Sequence, residues 1–126
     1  MKFSVNQQSL QKSLNYCQGV IEKRSTLPIL SNILLNTSNS KLTITATDLD
    51  LIFINEIKDI EIQEEGITTT TSSILYDIIR KFSSGKKINL SLSSENKLQL
   101  ESEKSIFHLN CINASEFPLT DENFNQ

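Results

Sequence analysis

The sequence predicts an α+β fold, a single domain in which two helices pack on antiparallel sheets. Period-two apolar runs alternate with two helical stripes, and the order strand, helix, three strands occurs twice. A chain of 126 residues can bury one substantial core but not two ordinary ones.

The elements follow in order. "KFSVN" alternates Phe3 and Val5, as a short strand does. Asn6 is placed to cap a helix whose apolar residues Leu10, Leu14, Cys17 and Ile21 recur at i, i+4, i+7 and i+11, with Gly19 expected to end it. After Pro28, Ile29 to Leu35 and "KLTIT" read as strands on either side of a turn at Asn39-Ser40, and the apolar run Leu49 to Ile62 as a third. Gly66 breaks the chain before the β-branched "ITTTT". Ser72 or Ser73 then caps a second helix, with Ile74, Leu75, Ile78, Ile79 and Phe82 apolar and an end near Gly85. "INLSL", "KLQLE" and "IFHLNC" supply three further strands.

The repeat has a trace in the hairpins. "SNSKLTIT" from Ser38 and "SENKLQLE" from Ser94 share Ser-x-x-Lys-Leu at an offset of 56, whereas helix starts at Gln7 and Ser73 are offset by 66. The first half therefore carries about 10 extra residues, roughly Gly19 to Pro28, and the halves span about 1–65 and 66–126.

Charge is segregated along the chain. The net charge is −3, yet residues 1–30 sum to +3 and residues 72–87 to +3, leaving −9 for the rest. At about 100° per residue, Lys12 lies opposite Leu10, Leu14 and Cys17, and Arg80 opposite the centre of the second apolar set. Exposed helix faces ordinarily carry Lys and Arg. Two basic helices on an acidic sheet, brought side by side by a repeat, point instead to a polyanion.

Catalytic chemistry finds little support. The single histidine, His108, stands in a strand pattern with no nucleophile elbow, and reads as a solvent-facing or satisfied side chain. Asp48 and Asp50 share a strand face but make too few oxygen ligands for a cation, so no metal is expected. Gly19, Gly66 and Gly85 stand too far apart for a phosphate loop. Cys17 and Cys111 read as buried thiols in a reducing compartment, and no cofactor is implied. With no apolar run near the roughly 20 residues that span a bilayer, a soluble, cytoplasmic protein is expected.

Four stretches carry a resemblance: "MKFSV", "RSTLPILSNILL" (Arg24 to Leu35), "TATDLDL" (Thr45 to Leu51) and "ASEFP" (Ala114 to Pro118). In this order, over essentially the whole chain, they resemble the first domain of the bacterial sliding clamp, the beta subunit of DNA polymerase III. The resemblance implies a DNA-clamp domain of pseudo-twofold repeat, the first of three per chain, with the second and third absent from these 126 residues. It implies a homodimeric ring around double-stranded DNA, a non-catalytic processivity factor in DNA replication. Replicative polymerase and clamp loader would bind through the domains not present here. Arg24, in the matching loop, is implied as a DNA contact; Lys12, Lys23 and Arg80 join it from their faces and neighbourhood. Ring closure would draw on Lys97, Lys104, Ile106, Phe107 and Leu109, and a lone domain would present an unpaired strand edge. Ser72-Ser73 occupy a place where relatives often carry a basic residue, so the second helix is expected to touch DNA less. The competing expectation is a cytosolic protein-interaction domain whose basic helices meet an acidic partner.

Overall fold

The first strand, β1 (Lys2–Asn6), runs without a loop into α1 (Gln7–Val20), because Asn6 ends one element and caps the next. Its side-chain oxygen accepts from the backbone N–H of Gln8 at 2.8 Å and of Ser9 at 3.4 Å, pairing donors that the first helical turn leaves orphaned. The computed structural model describes residues 1–20, 31–48 and 51–117, and the elements below are those of the described residues.

After α1 come β2 (Asn32–Ser38), β3 (Lys41–Thr47), β4 (Ile52–Ile57), β5 (Ile60–Glu64) and β6 (Gly66–Thr71). Then follow α2 (Ser72–Ile79), β7 (Lys87–Leu92), β8 (Lys97–Ser102), β9 (Ser105–Ile112) and a 3-10 turn at Ala114–Glu116. The nine strands form one antiparallel sheet in the order β4-β3-β2-β6-β9-β8-β7-β1-β5. Each half of the chain thus lends its first strand to the other half's hairpins: β6 flanks β2, and β1 flanks β7. This exchange is the pseudo-twofold repeat in physical form.

Two sequence expectations need correction here. The run Leu49 to Ile62 is not one strand: β4 and β5 are separated at Lys58-Asp59, so the first half has four strands after its helix. The repeat survives, because β4 pairs with β3 and β5 with β1, just as the single strand β9 pairs with β8 and, at Cys111 and Ile112, with β6. Lys58 and Asp59 are both exposed; two adjacent charges in an apolar run mark where the chain passes from one end strand of the sheet to the other.

The second correction concerns α2. Its N-cap is Thr71, with no side-chain capping bond, rather than Ser72 or Ser73, and it ends at Ile79, well before Gly85. Phe82 nevertheless reaches the core from the turn that follows, and meets Phe107 edge-on at 5.5 Å. Ile21, the fourth member of the α1 stripe, lies outside the described residues, as do Gly19-to-Pro28 positions 21–28 and Ile29. The two look-alike hairpins turn differently. Asn39 and Ser40 both take positive φ in a two-residue turn, whereas residues 93–96 form a longer loop in which Asn96 alone does.

Both helices bury one face against the sheet. Leu10, Leu14 and Cys17 of α1 and Leu75 and Ile79 of α2 are at most 1 % exposed and join Phe3, Ile33, Leu35, Ile44, Ile88 and Leu98 in one core. Each such leucine contributes roughly 2 kcal/mol by leaving water. Burial also pushes the Cys17 thiol up to about 12, which makes it an inert packing group, and raises half-buried Cys111 as well. Gly66 opens β6 where the chain crosses Met1: a Cβ there would lie 2.6 Å from the Met1 Cβ. No helix among the described residues is long and apolar enough to cross a membrane.

Candidate nucleic-acid interface

The solvent side of the helix pair is built on amides. Along α1, Gln7, Gln11, Asn15 and Gln18 follow one another at spacings of four, four and three, which sets them in a row on one side of the helix. That row meets α2. Gln7 Nε2 donates to the Ile79 carbonyl at 2.8 Å and to Gln11 Oε1 at 2.8 Å. The Tyr76 hydroxyl donates to Asn15 Oδ1 at 3.2 Å, and Ser72 Oγ to Gln18 Oε1 at 3.1 Å. The helices therefore lie side by side, stitched by polar contacts above the apolar core. Sequence reading followed the apolar stripe and missed this row, although its i, i+4 spacing is visible in "QQSLQKSLNYCQ".

The expected cations can now be placed. Lys12 is exposed on α1 next to the amide row, and among the described residues no carboxylate pairs with it. Arg80 closes the C-terminal end of α2, where its guanidinium lies 3.7 Å from Asp77 Oδ1 and 5.3 Å above the Tyr76 ring. Both partners of that ion pair are exposed, so it holds weakly, but Asp77 subtracts charge from the face. Ser72 is buried and occupied by Gln18, and only Ser73 of the pair is exposed. Lys23 and Arg24 lie outside the described residues.

The strand carboxylates are engaged locally. Lys41 Nζ donates to Glu56 Oε2 at 2.7 Å, the N-terminal ammonium to Glu64 Oε1 at 2.9 Å, and Lys87 to Glu61. In each case that hydrogen bond, followed by the donor's charge, holds the carboxyl below its ordinary value.

The residues expected at a ring contact divide between surface and core. Lys97 begins β8, Lys104 sits in the turn between β8 and β9, and Ile106 is 53 % exposed on β9. Phe107 is half-buried against Phe82, and Leu109 is buried in the core. Among the described residues, 105–110 of β9 pair with β8 alone, β4 with β3 alone and β5 with β1 alone, leaving three strand edges open. His108 is exposed and within 3.2 Å of Gln99 Oε1 across the β8–β9 pair. Asp48 Oδ1 accepts from the Leu51 N–H at 2.7 Å in a turn, while Asp50 lies outside the described residues. Among the described residues no three His, Cys, Asp or Glu side chains gather as metal ligands.

The family described as DNA polymerase III beta subunit, N-terminal domain, matches residues 1–121. The chain belongs to this family. It is 38% identical over 120 residues to the beta sliding clamp of Caulobacter vibrioides strain NA1000 / CB15N, covering 94% of this chain and 32% of that protein. To the beta sliding clamp of Escherichia coli K12 it is 34% identical over 122 residues, covering 97% of this chain and 33% of that one. Among solved structures, Caulobacter crescentus pol III beta superposes with a TM-score of 0.90 at 36% identity, over 98% of this chain and 33% of that chain. The DNA polymerase III subunit beta of Pseudomonas aeruginosa superposes with a TM-score of 0.89 at 30% identity, over 96% of this chain and 32% of that chain. The chain thus spans about a third of the length of the curated relatives it matches. For a beta-subunit N-terminal domain, two helices on an antiparallel sheet are the shared architecture, and Lys12 with the amide row is what this member sets on its helix pair.

Proposed function

We propose that this chain is the DNA-facing first domain of a sliding clamp, a non-catalytic processivity factor of a replicative polymerase that acts in the cytoplasm. The observation that carries the reading is the side-by-side helix pair with exposed Lys12, which pairs with no carboxylate among the described residues, in a domain of the beta-subunit family. Lys12 and Arg80, with Lys23 and Arg24, contact phosphates of duplex DNA without reading bases. About four such contacts lose roughly a hundredfold in affinity between about 50 and about 200 mM salt. Phosphate contacts therefore orient the ring, and encirclement retains it.

In the ring, two chains of three such domains close head to tail. Lys97, Lys104, Ile106, Phe107 and Leu109 belong to the closing side, where exposed Ile106 supplies apolar surface and Phe107 and Leu109 support it from within. Polymerase and clamp loader dock on the other domains. The test is retention of the assembled ring on circular duplex, challenged with salt and then with a single cut. Retention on the circle and release from the linear form are expected; retention that survives cutting overturns the topological account. Arg24→Ala with Lys12→Ala lowers residence on DNA, and an unchanged residence would direct the helices to an acidic protein instead.

A further inference from the structure

We infer that the cleft between α1 and α2 is a phosphodiester seat in which two neutral side chains, Gln11 and Asn15, grip the DNA backbone beside Lys12. The inference rests on the proposed function and adds contacts that no charge count reveals. The cleft, of about 510 Å³, is bordered by Gln8, Gln11, Lys12, Asn15, Tyr76 and Ser84, with no carboxylate on its rim. On the other flank of α1 the hollow beside β4 and β5 is bordered by Glu56 and Asp59. Lys12 borders both hollows, and the carboxylates lie only on the second, with Lys58 beside them.

Hydrogen-bond accounting fixes what the cleft offers. Gln11 Oε1 is taken by Gln7, which leaves the Gln11 amide its two N–H donors. Asn15 Oδ1 is taken by Tyr76, which leaves the Asn15 amide its two. Neither amide nitrogen donates to any described residue. The spare acceptor of the row, Gln7 Oε1, is buried without a partner. The Gln11 and Asn15 amides and the Lys12 ammonium thus present N–H donors to the cleft. An acceptor-only ligand matches this wall, and phosphodiester oxygens are acceptors only. Because neutral donors release no counterion, this part of the grip is insensitive to salt.

The experiment is a titration of the 126-residue chain with a short duplex at low salt, following the side-chain NH2 resonances of Gln11 and Asn15 by NMR. Both are expected to shift on DNA addition. Gln11→Met or Asn15→Leu weakens binding about fivefold with an unchanged salt slope, whereas Lys12→Met lowers the slope by about 1. Gln11→Glu and Asn15→Asp keep the oxygen that Gln7 or Tyr76 needs and put a negative charge in place of the outward donor, so they give a larger loss where the neutral variants fail to fold. Amide resonances and affinities that ignore all four changes, with Lys12→Met still weakening binding, overturn the seat and leave the proposed function standing. No binding by the unaltered chain overturns the seat, while the proposed function stands or falls with retention of the assembled ring on circular duplex. Shifts produced by a polyglutamate peptide and not by duplex assign the cleft to an acidic protein and overturn the seat.

Discussion

Asp77 shows how one side chain tunes the face proposed to meet phosphate. It is exposed one turn before Arg80 on α2, and the 3.7 Å contact between them would compete with the proposed contact of Arg80 to phosphate. The Tyr76 ring beneath holds Arg80 near the surface of the helix as well. Exposed pairs of this kind add at most about 0.5 kcal/mol to folding. Asp77→Asn is therefore expected to leave the thermal midpoint nearly unchanged while it removes a repelling charge and frees Arg80. Affinity for duplex at low salt should rise about threefold and the salt slope should steepen. A duplex titration of both proteins decides it: an unchanged affinity would mean that Arg80 does not reach phosphate.

At the scale of elements, the helix starts show what the sequence made legible. Asn6 was readable because a cap needs only a short polar side chain at the right step before an apolar stripe, and its two bonds form as expected. Ser72 and Ser73 were the two candidates for α2, and the helix starts one residue earlier instead: Ser72 is drawn to Gln18, and Thr71, the N-cap, to Asn32 at 3.4 Å. The β4–β5 corner was hidden because an apolar run has the same composition whether or not the strand is broken within it. Likewise the amide row became a seam only once α2 lay beside it. Lys23 and Arg24, prominent in the sequence, fall outside the described residues. Asn6→Ala is accordingly expected to cost about 1 kcal/mol, and Ser73→Ala, whose side chain is exposed and caps nothing, close to zero. Chemical denaturation of the two variants checks the contrast; equal losses would remove the distinction between a bonded cap and an idle serine.

For the whole molecule, the exchange of first strands means that neither half has a complete sheet of its own. β1 is bonded to β5 and β7, and β6 to β2 and β9, so one cooperative unfolding transition is expected. The outermost strand, β5, is held along one edge only, and ion pairs reinforce it. Glu64 meets the N-terminal ammonium, and Glu61 meets Lys87, a clip from β5 to β7 across β1. Glu56 and Lys41 do the same for β4 at the other end of the sheet. All three carboxyls are held below their ordinary value of 4.5 in the folded state. As pH falls, the unfolded chain therefore takes up these protons first. The stabilisation is complete above the ordinary carboxylate value and is lost as pH drops through the lower folded values. Because the groups are exposed, the effect should be local loosening rather than global collapse. Amide exchange corrected for intrinsic rates should show Ile60–Glu64 losing protection between about pH 6 and about pH 3.5, while β8, paired on both sides, keeps it. Glu61→Gln should produce the same loosening of β5 already at neutral pH, and remove part of the acid response. If β5 and β8 lose protection together, or if Glu61→Gln leaves β5 as protected as before, the carboxylate clips do not hold the edge of the sheet and hydrogen bonding to β1 alone secures it.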